Sequence, residues 1–437
     1  MEGEVRDSLT CVCVDGVCVK VGEHLDRHLM FPLLYFLSEK DVYPREKVME
    51  GMLALAKQTN MTDWALELHA KLHGDTSAAA ESAKEVEAMR ARRKVILDRV
   101  RRAERDAERI VRFLSDAQLV SELGPDREAN LMLLRGKFGI LEEDVDALYA
   151  FALVQFECGN YAFAGEFMDQ FRQLSMNVEK LMSATWGRLA SAIMTHDFDC
   201  AMEELMRLKE YIDNAQYPSH EVQLMHRTWL LHWSLFVFFN HANGRNAIID
   251  LFLQERYVHT IETTCPHLVR YLAAVVICNK RRRNMLKDVV RLIRADRARY
   301  EDPVTQFLEH LCIDYDFEAA QEKLAESEEL MSRDFFLASC RDDFVENGRL
   351  FLFEAFCRVH KVIDIKVMAT RFGMDEDAAL QWIVNLIKTK KIAAKIDAEK
   401  GTVVMTTTQP DVHEQIIEKT RSQLTKTRMM AAVLGGA

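Results

Sequence analysis

The sequence predicts a mainly α protein: a right-handed α-solenoid of degenerate, tetratricopeptide-like helical hairpins, followed by a winged-helix domain and a C-terminal helix. Three observations support this fold class. The 437 residues include only 17 Gly and 7 Pro, and a scarcity of both helix breakers favours long helices over many short strands. A helical pattern recurs along most of the chain, and the hydrophobic period changes after Asn347. These features exclude an all-β sandwich and a collagen-like chain.

The N-terminal 22 residues differ from the rest of the chain. Three cysteines, Cys11, Cys13 and Cys18, alternate with valines around an Asp-Gly pair, which is a short hairpin signal. A zinc site would need a fourth ligand, which His24 or His28 could supply, but the spacing matches no familiar zinc knuckle. We predict an extension, residues 1–22, that is poorly ordered or forms a short hairpin.

Residues 23–345 carry the recurring pattern and are assigned to the solenoid. A polar turn residue is followed by apolar residues at positions +1, +4 and +8, which is how the second helix of a hairpin packs on its neighbour. The pattern starts at Asn160, Asp197 and Asp316, and more loosely at Asn60. The first two starts lie 37 residues apart, close to tetratricopeptide spacing, and the other intervals are irregular. We predict stacked helix pairs.

Two windows of the solenoid allow more than one interpretation. Residues 89–113 form the most charged stretch and predict a long exposed helix. Its charges either pair within the helix or form a basic ridge that meets RNA or an acidic partner. Residues 229–241 form the most aromatic stretch. We interpret them as the most buried helix, with a partner-facing seam or a cofactor pocket as alternatives.

After Asn347 the predicted elements become shorter. In order they are a helix, an extended segment, a short helix, a longer helix and two strands: 349–360, 362–365, 366–372, 375–389, 394–397 and 402–405. Asp375 can cap the longer helix, and Gly401 can take a positive φ in the turn between the strands. This order is typical of a winged helix, which we assign to residues 346–408. A last helix, from Val412 to about Met430, occupies the final segment, 409–437.

Composition narrows the functional class. The net charge is −11, whereas a dedicated nucleic-acid binder carries a dominant basic surface. The longest apolar runs are far shorter than a membrane span requires, and the acidic N-terminus lacks the apolar core of a secretory signal. Most of the ten Cys are scattered singly, as in proteins of reducing compartments. We expect a cytosolic or nuclear protein without membrane contact.

No motif indicates catalysis. The sequence lacks a phosphate-binding loop, a dinucleotide-binding glycine motif, a nucleophile elbow and a His-Glu-x-x-His zinc motif. His69 and His73 share a helix face, where two histidines can bind a metal, but no acidic or Cys ligand is fixed beside them. We interpret them as a surface pair and expect no catalytic residue, no cofactor and no metal.

The predicted winged helix is poorly suited to reading DNA. Its third helix opens with three acids, residues 375–377, which repel phosphates where a recognition helix docks. Four lysines at the far end could contact an RNA backbone: Lys388, Lys390, Lys391 and Lys395. We favour protein assembly instead, through the hairpin edge and the face that carries Ile396 and Val403, since an exposed sheet edge accepts a strand from another chain. The candidate subunit-interface residues are Trp382, Lys395, Ile396, Val403 and Val404.

A second candidate site is the basic run of Lys280, Arg281, Arg282 and Arg283. Such runs occur in solvated turns between helices, contact RNA or the ribosome, or act as nuclear transport signals. The three interpretations remain open, and the four residues are a possible RNA or ribosome contact.

Several segments resemble one known family. A helical solenoid ending in a winged helix resembles the PCI-domain proteins of the proteasome lid, the signalosome and eukaryotic translation initiation factor three. Over about residues 23–420 the chain is similar to the family of e subunits of that factor. The segments that carry the resemblance are 25–34, 156–161, 227–241, 244–253, 265–272, 347–360, 382–387 and 394–397.

The resemblance implies a non-catalytic scaffold in the cytoplasm. In this family the winged helices of neighbouring subunits pack side by side. The resemblance therefore implies a hetero-oligomer with the c, l and d subunits as neighbours. It also implies binding to the 40S ribosomal subunit and recruitment of messenger RNA. A scaffold of the signalosome or the proteasome lid, and an adaptor that binds RNA through its winged helix, are the alternatives.

Overall fold

The structure, a computed structural model, describes most of the chain. The described residues are 21–40, 43–73, 80–124, 126–360, 362–366, 369, 377, 380–381, 383–385, 394–397, 401–405 and 412–435. Several predictions concern residues outside this set: those on Cys11, Cys13, Cys18, Trp382, Lys388, Lys390 and Lys391.

The first three quarters of the chain is a succession of α-helices. Helices α1–α9 span Met30–Glu39, Arg45–Gln58, Thr62–His73, Ala80–Leu114, Ala117–Val120, Arg127–Leu133, Glu142–Glu157, Tyr161–Leu174 and Val178–Met194. Helices α10–α19 span Phe198–Asn214, His220–Asn240, Gly244–Phe252, Glu255–Thr264, Val269–Cys278, Leu286–Asp296, Pro303–Glu309, Phe317–Arg333, Arg341–Val359 and Val412–Gly435. From α7 to α12 each helix packs on the next, which is the nearest-neighbour arrangement of a solenoid. The predicted helical solenoid is confirmed.

The chain divides into two compact units. The first takes the described residues of Met1–Thr305 and Glu326–Phe344, and the second those of Gln306–Ala325 and Val345–Ala437. The segment limits predicted from the sequence, at residues 22, 345 and 408, stay predictions.

The helical hairpins turn at a residue with a left-handed backbone. Gly159 has φ 89° and His196 has φ 60°. The next N–H group in each case, on Asn160 or Asp197, reaches back five residues to a carbonyl oxygen at 2.9 Å. This bond closes a Schellman turn and satisfies a carbonyl at the helix end. Tyr315, with φ 56°, occupies the same position before Asp316.

A π-turn directly precedes the third repeat start. His310–Asp314 is a π-helical turn that directly follows α16. It inserts one residue, so that the N–H of Asp316 reaches six residues back, to the carbonyl of His310 at 3.0 Å. A second π-turn, Leu134–Phe138, ends in the same way at Gly139, with φ 63°.

The small residue at position +4 of each repeat is fully buried. The three side chains are Ala164, Ala201 and Ala320, each with no exposed surface. A methyl group at this point lets the neighbouring helix approach closely, and a larger side chain would need space that a close-packed interior lacks. The repeat starts at Asn160, Asp197 and Asp316 are therefore confirmed, since each directly precedes a helix with this packing.

Helix α11 is buried along its central part, but the prediction that it is the most buried helix is wrong, because all ten residues of α14 are buried. Every residue from Leu230 to Phe238 is buried, so this stretch is covered on all sides. Trp233 packs edge-on against Trp186, with ring centroids 4.8 Å apart. Its Nε1 donates to the backbone oxygen of His24 at 3.1 Å, which joins the segment before α1 to the centre of the solenoid.

A buried ion network joins segments that are distant in sequence. Arg270 of α14 donates to both carboxylate oxygens of Asp302, at 2.8 and 3.0 Å. It also pairs with Asp334 at 3.4 Å, and the hydroxyl of Tyr271 donates to Asp334 at 3.1 Å. Burial alone would lower the pKa of Arg270, but the carboxylate of Asp302 raises it. The guanidinium therefore stays charged inside the protein.

No single helix among the described residues combines the length and apolar content needed to cross a bilayer. Helix α13 and the segment Pro266–Cys278 meet the criterion only together, as a pair bent by 118°.

The second unit contains a three-stranded antiparallel sheet. Strands β1, β2 and β3 span Val362–Asp364, Ala394–Asp397 and Thr402–Met405. The spatial order is β1-β3-β2, so β3 is central. Gly401 has φ 61° in the turn before β3, as predicted. This sheet is the wing of the winged helix, and α18 is the helix that precedes it.

Candidate functional site

Val403 lies in the middle of the sheet, not at its edge. Its neighbours in register are Ile363 of β1 and Ile396 of β2, and its side chain has no exposed surface. The prediction that Val403 lies at an open hairpin edge is therefore wrong. The reason is that β1 pairs with β3 and covers the edge that an isolated hairpin would expose. The free edges of the described sheet belong to β1 and β2.

The opposite face of the sheet carries exposed apolar side chains. Val362 is 58% exposed and Val404 is 37% exposed, and the two are direct neighbours in register. Lys395 occupies the register position beside Val404 on β2. Two adjacent exposed valines form a flat apolar surface, the kind that protein partners cover. Sequence reasoning named Val404 but missed Val362, because the pairing of β1 with β3 leaves no local signal.

The basic turn is partly occupied by contacts within the protein. The run lies in the turn Lys280–Met285, where Arg282 is half-buried and pairs with Asp250 of α12. The hydrogen bond to Asp250 raises the pKa of Arg282. This side chain is therefore committed to holding the turn against α12, and is less available to an RNA phosphate than the sequence suggests.

The most charged helix, α4, uses many of its arginines to attach to neighbouring helices. Arg92 donates to the Thr59 carbonyl at 3.1 Å, Arg93 pairs with Asp63 and Arg99 pairs with Glu157 at 3.3 Å. Pairing within the helix, as predicted, occurs between Arg112 and Glu108 at 2.5 Å. The helix is a structural strut more than a continuous basic ridge. The exposed cations of α4 that have no ion-pair partner among the described residues include Arg90, Lys94 and Arg102.

The segment before α1 borders a groove of the first unit that polar and aromatic side chains line. This groove has a volume of about 630 Å³ and is lined by Arg27, His28, Asn60, Arg99, Glu157 and Trp186, among others. Its polar groups largely bond to one another. His28 Nδ1 lies 2.8 Å from the Tyr161 hydroxyl, and Glu157 accepts from Asn60. Burial lowers the pKa of His28, so this ring is neutral and acts as a packing group.

The histidine pair of α3 does not form a metal site in the described part of the chain. The rings of His69 and His73 lie 4.6 Å apart, on one face as predicted. His69 is buried, however, and not on the surface, because α4 packs against α3. Among the described residues, no group of three or more His, Cys, Asp or Glu side chains could hold a metal ion.

A second pair of histidines is buried in the core. The Nε2 atoms of His232 and His267 lie 2.8 Å apart, and Nδ1 of His232 lies 2.7 Å from the carbonyl oxygen of Thr228. Since a carbonyl only accepts, Nδ1 of His232 carries the hydrogen, and Nε2 of His232 accepts from His267. No substrate could reach these rings, and the arrangement joins α11 to the turn before α14.

Comparison with known proteins gives a consistent result over nearly the whole chain. Residues 17–155 match the family described as eIF3 subunit 6 N terminal domain, and residues 315–407 match the PCI domain. A protein of Arabidopsis thaliana is 43% identical over 412 residues, and the match covers 92% of each chain. A protein of Botryotinia fuckeliana is 40% identical over 422 residues, covering 95% of this chain and 92% of the other. Both relatives are named as the E subunit of eukaryotic translation initiation factor 3.

Proposed function

The chain belongs to the family of E subunits of eukaryotic translation initiation factor 3, and on that premise we propose that it is a non-catalytic scaffold subunit of the factor 3 complex. It assembles with other subunits through its PCI domain in the cytoplasm. By family resemblance its neighbours are the c, l and d subunits. Through the complex it helps to bind the 40S ribosomal subunit and to recruit messenger RNA.

The observation that carries the proposal is the extent of the similarity. The matches to the two E-subunit relatives cover 92–95% of the chain and include the solenoid as well as the PCI domain. A likeness confined to a winged helix would leave the signalosome and proteasome-lid alternatives equally open. The roles of the polar groups support a scaffold too, since Arg270, His232 and Arg282 all serve packing contacts.

The exposed sheet face is the favoured subunit interface of the winged helix. Val362 and Val404 provide its apolar centre, with Lys395 at the adjacent register position of β2. Ile396 pairs in register with the buried Val403 and so belongs to the other face; it stays in the proposal as a sequence-based candidate. Trp382, which precedes the buried Ile383, stays in the proposal as a sequence-based candidate. Val403 contributes indirectly, because its buried side chain holds the three strands together.

Affinity purification from cytoplasmic extract tests the proposal. The tagged full-length chain is isolated after nuclease treatment and a wash at moderate salt, and its partners are identified by mass spectrometry. We expect other initiation-factor subunits, accompanied by 40S proteins when the salt concentration is lower, since surface charge contacts weaken with salt.

Two outcomes would contradict the proposal. Recovery of signalosome or lid subunits would keep the fold and replace the function. Recovery of no stable protein partner would reject the scaffold role altogether, and would leave the winged-helix adaptor for RNA as the remaining alternative.

A further inference from the structure

Besides α4, a second short part of this acidic chain concentrates positive charge. Residues 280–299 hold nine Lys or Arg and only two Asp, whereas the whole chain has a net charge of −11. One of the two acids, Asp296, is buried, and burial raises its pKa. The other, Asp288, pairs with Arg291 at 3.1 Å at the surface. The segment comprises the basic turn and the whole of α15.

Helix α15 separates its apolar and basic residues completely. Its buried side consists of Val289, Leu292, Ile293 and Asp296, a spacing of i, i+3, i+4 and i+7. The opposite side carries Lys287, Arg291 and Arg294 at i, i+4 and i+7, all exposed. We call these three residues the basic face. Lys287 and Arg294 have no ion-pair partner among the described residues.

The dimensions of the basic face suit a nucleic-acid strand. Seven residues of helix separate its first and last cations, a distance of about 10 Å at about 1.5 Å per residue. A nucleic-acid strand carries one phosphate per ~3.4 Å of duplex axis. Three cations in a row therefore match about three consecutive phosphates, and two of the three are arginines, which bind phosphate through two N–H groups at once.

The surroundings of the basic face disfavour a protein partner. Among the described residues between Met225 and Tyr315, no large apolar side chain is strongly exposed. Protein interfaces have an apolar or aromatic centre that supplies most of the binding energy. A surface that binds phosphates needs no such centre, because its affinity comes from charge neutralisation and the release of counterions.

We propose that the basic face of Lys287, Arg291 and Arg294 binds the phosphate backbone of RNA without reading its bases. The contact that the sequence placed at the turn 280–283 thus extends along the next helix, where the cations are exposed. The choice of RNA over other polyanions rests on the proposed function in translation. The phosphate contact itself rests on the geometry of α15.

Fluorescence anisotropy with the full-length chain tests this proposal. The probes are a fluorescein-labelled single-stranded RNA of about 20 nucleotides and an acidic peptide of similar charge. The triple variant Lys287→Ala/Arg291→Ala/Arg294→Ala loses three phosphate contacts. For the single strand we therefore expect the slope of log Kd against log salt concentration to fall by about 2, with a Kd at least about tenfold higher at low salt.

A matched control removes the same charge elsewhere. The variant Arg90→Ala/Lys94→Ala/Arg102→Ala neutralises three exposed cations of α4 and should keep the slope. The variant Arg291→Lys/Arg294→Lys retains the charge and should retain most of the salt dependence. Salt dependence that survives in Arg291→Lys/Arg294→Lys, but not in the triple alanine variant of α15, separates a phosphate contact from damage to α15. Equal weakening by both triple variants, or RNA binding that the acidic peptide displaces at equal charge concentration, would overturn the proposal.

The affinity purification is read separately. A triple variant that loses RNA but still recovers its protein partners supports both proposals. If the wild-type chain recovers no partner, while the triple variant still lowers the salt slope of RNA binding, the scaffold role alone is rejected.

Discussion

At the scale of single residues, Arg270 shows how the protein accommodates charge in its interior. Its guanidinium faces two buried carboxylates, Asp302 and Asp334, and each partner would be costly to bury alone. The network pairs residues 32 and 64 positions apart. Such a pairing leaves no mark in the local sequence, so the role of Arg270 could not be predicted from it.

We expect Arg270→Ala to destabilise the first unit by roughly 3–5 kcal/mol, since it leaves two buried carboxylates without a counter-charge. Calorimetry of the full-length chain measures the loss as a lower Tm. The control Arg341→Ala removes an arginine that pairs with Asp342 at the surface, and should leave the Tm unchanged. Equal Tm values for both variants would show that the network contributes nothing.

The buried histidines predict a stability that falls in acid. Burial, together with His267 and His24 beside it, lowers the pKa of His232 well below 6.5. The unfolded chain takes up this proton near pH 6.5 and the folded chain does not. The contribution of His232 to stability is therefore fully present above pH 6.5 and is lost as the pH falls towards the lower pKa of the folded state.

His232→Gln removes the ring that takes up a proton on unfolding. The free energy of unfolding of this variant should therefore depend less on pH. The expected change is up to about 1.4 kcal/mol per pH unit below pH 6.5, measured by urea unfolding at several pH values. His259→Gln, which alters an exposed histidine, should leave the slope as it is. A variant at His232 with the wild-type pH dependence would assign the acid sensitivity to other groups.

At the scale of elements, the sequence predicted what local patterns determine. The aromatic stretch of α11, which is buried from Leu230 to Phe238, and the repeat starts at Asn160, Asp197 and Asp316 are local patterns, and the structure confirms that both mark packed helices. The strand order is not local, since Val362 and Val404 are 42 residues apart. The edge prediction for Val403 failed for that reason. The salt bridge between Arg282 and Asp250 spans 32 residues and was invisible in the same way.

At the left-handed position of the repeated turns, a change to glycine and a change from glycine should affect stability in opposite directions. Tyr315 takes a left-handed conformation that costs an L-residue about 1–2 kcal/mol, and its side chain is largely exposed. Tyr315→Gly should therefore stabilise the protein by about 0.5–1 kcal/mol, after the greater freedom of glycine in the unfolded chain is deducted.

Gly159→Ala is the reciprocal change. A Cβ at Gly159 would lie 3.0 Å from the Met61 side chain at a φ of 89°, so this variant should lower the Tm. A higher Tm for Gly159→Ala, or a lower one for Tyr315→Gly, would contradict the role of the left-handed position.

At the scale of the whole molecule, the charges that hold helices together are distinct from the residues that we propose to contact partners. The ion pairs of α4 and the buried network hold helices together, whereas the sheet face and the basic face have no such task among the described residues. From sequence, the family and the winged helix could be predicted. Which face of the sheet is exposed could not, because exposure depends on the register of all three strands.

The sheet face predicts a variant that folds but fails to assemble. Val362→Glu/Val404→Glu places two charges on the exposed apolar row, where an assembled partner would have to bury them. We expect at least a tenfold loss of co-purifying initiation-factor subunits with an unchanged Tm. The control Val178→Glu alters a valine of α9 that is 74% exposed. Normal recovery of partners with the sheet variant would move the interface elsewhere.

The two π-turns have a consequence for how the chain can change in length. At Leu134–Phe138 and His310–Asp314 one additional residue widens the last helical turn, while the left-handed residue after it still closes the hairpin. An insertion or deletion of one residue at such a point is absorbed within a single turn and does not rotate the following helix. The rotational phase of the core-facing side chains then survives a change of one residue in the length of a hairpin.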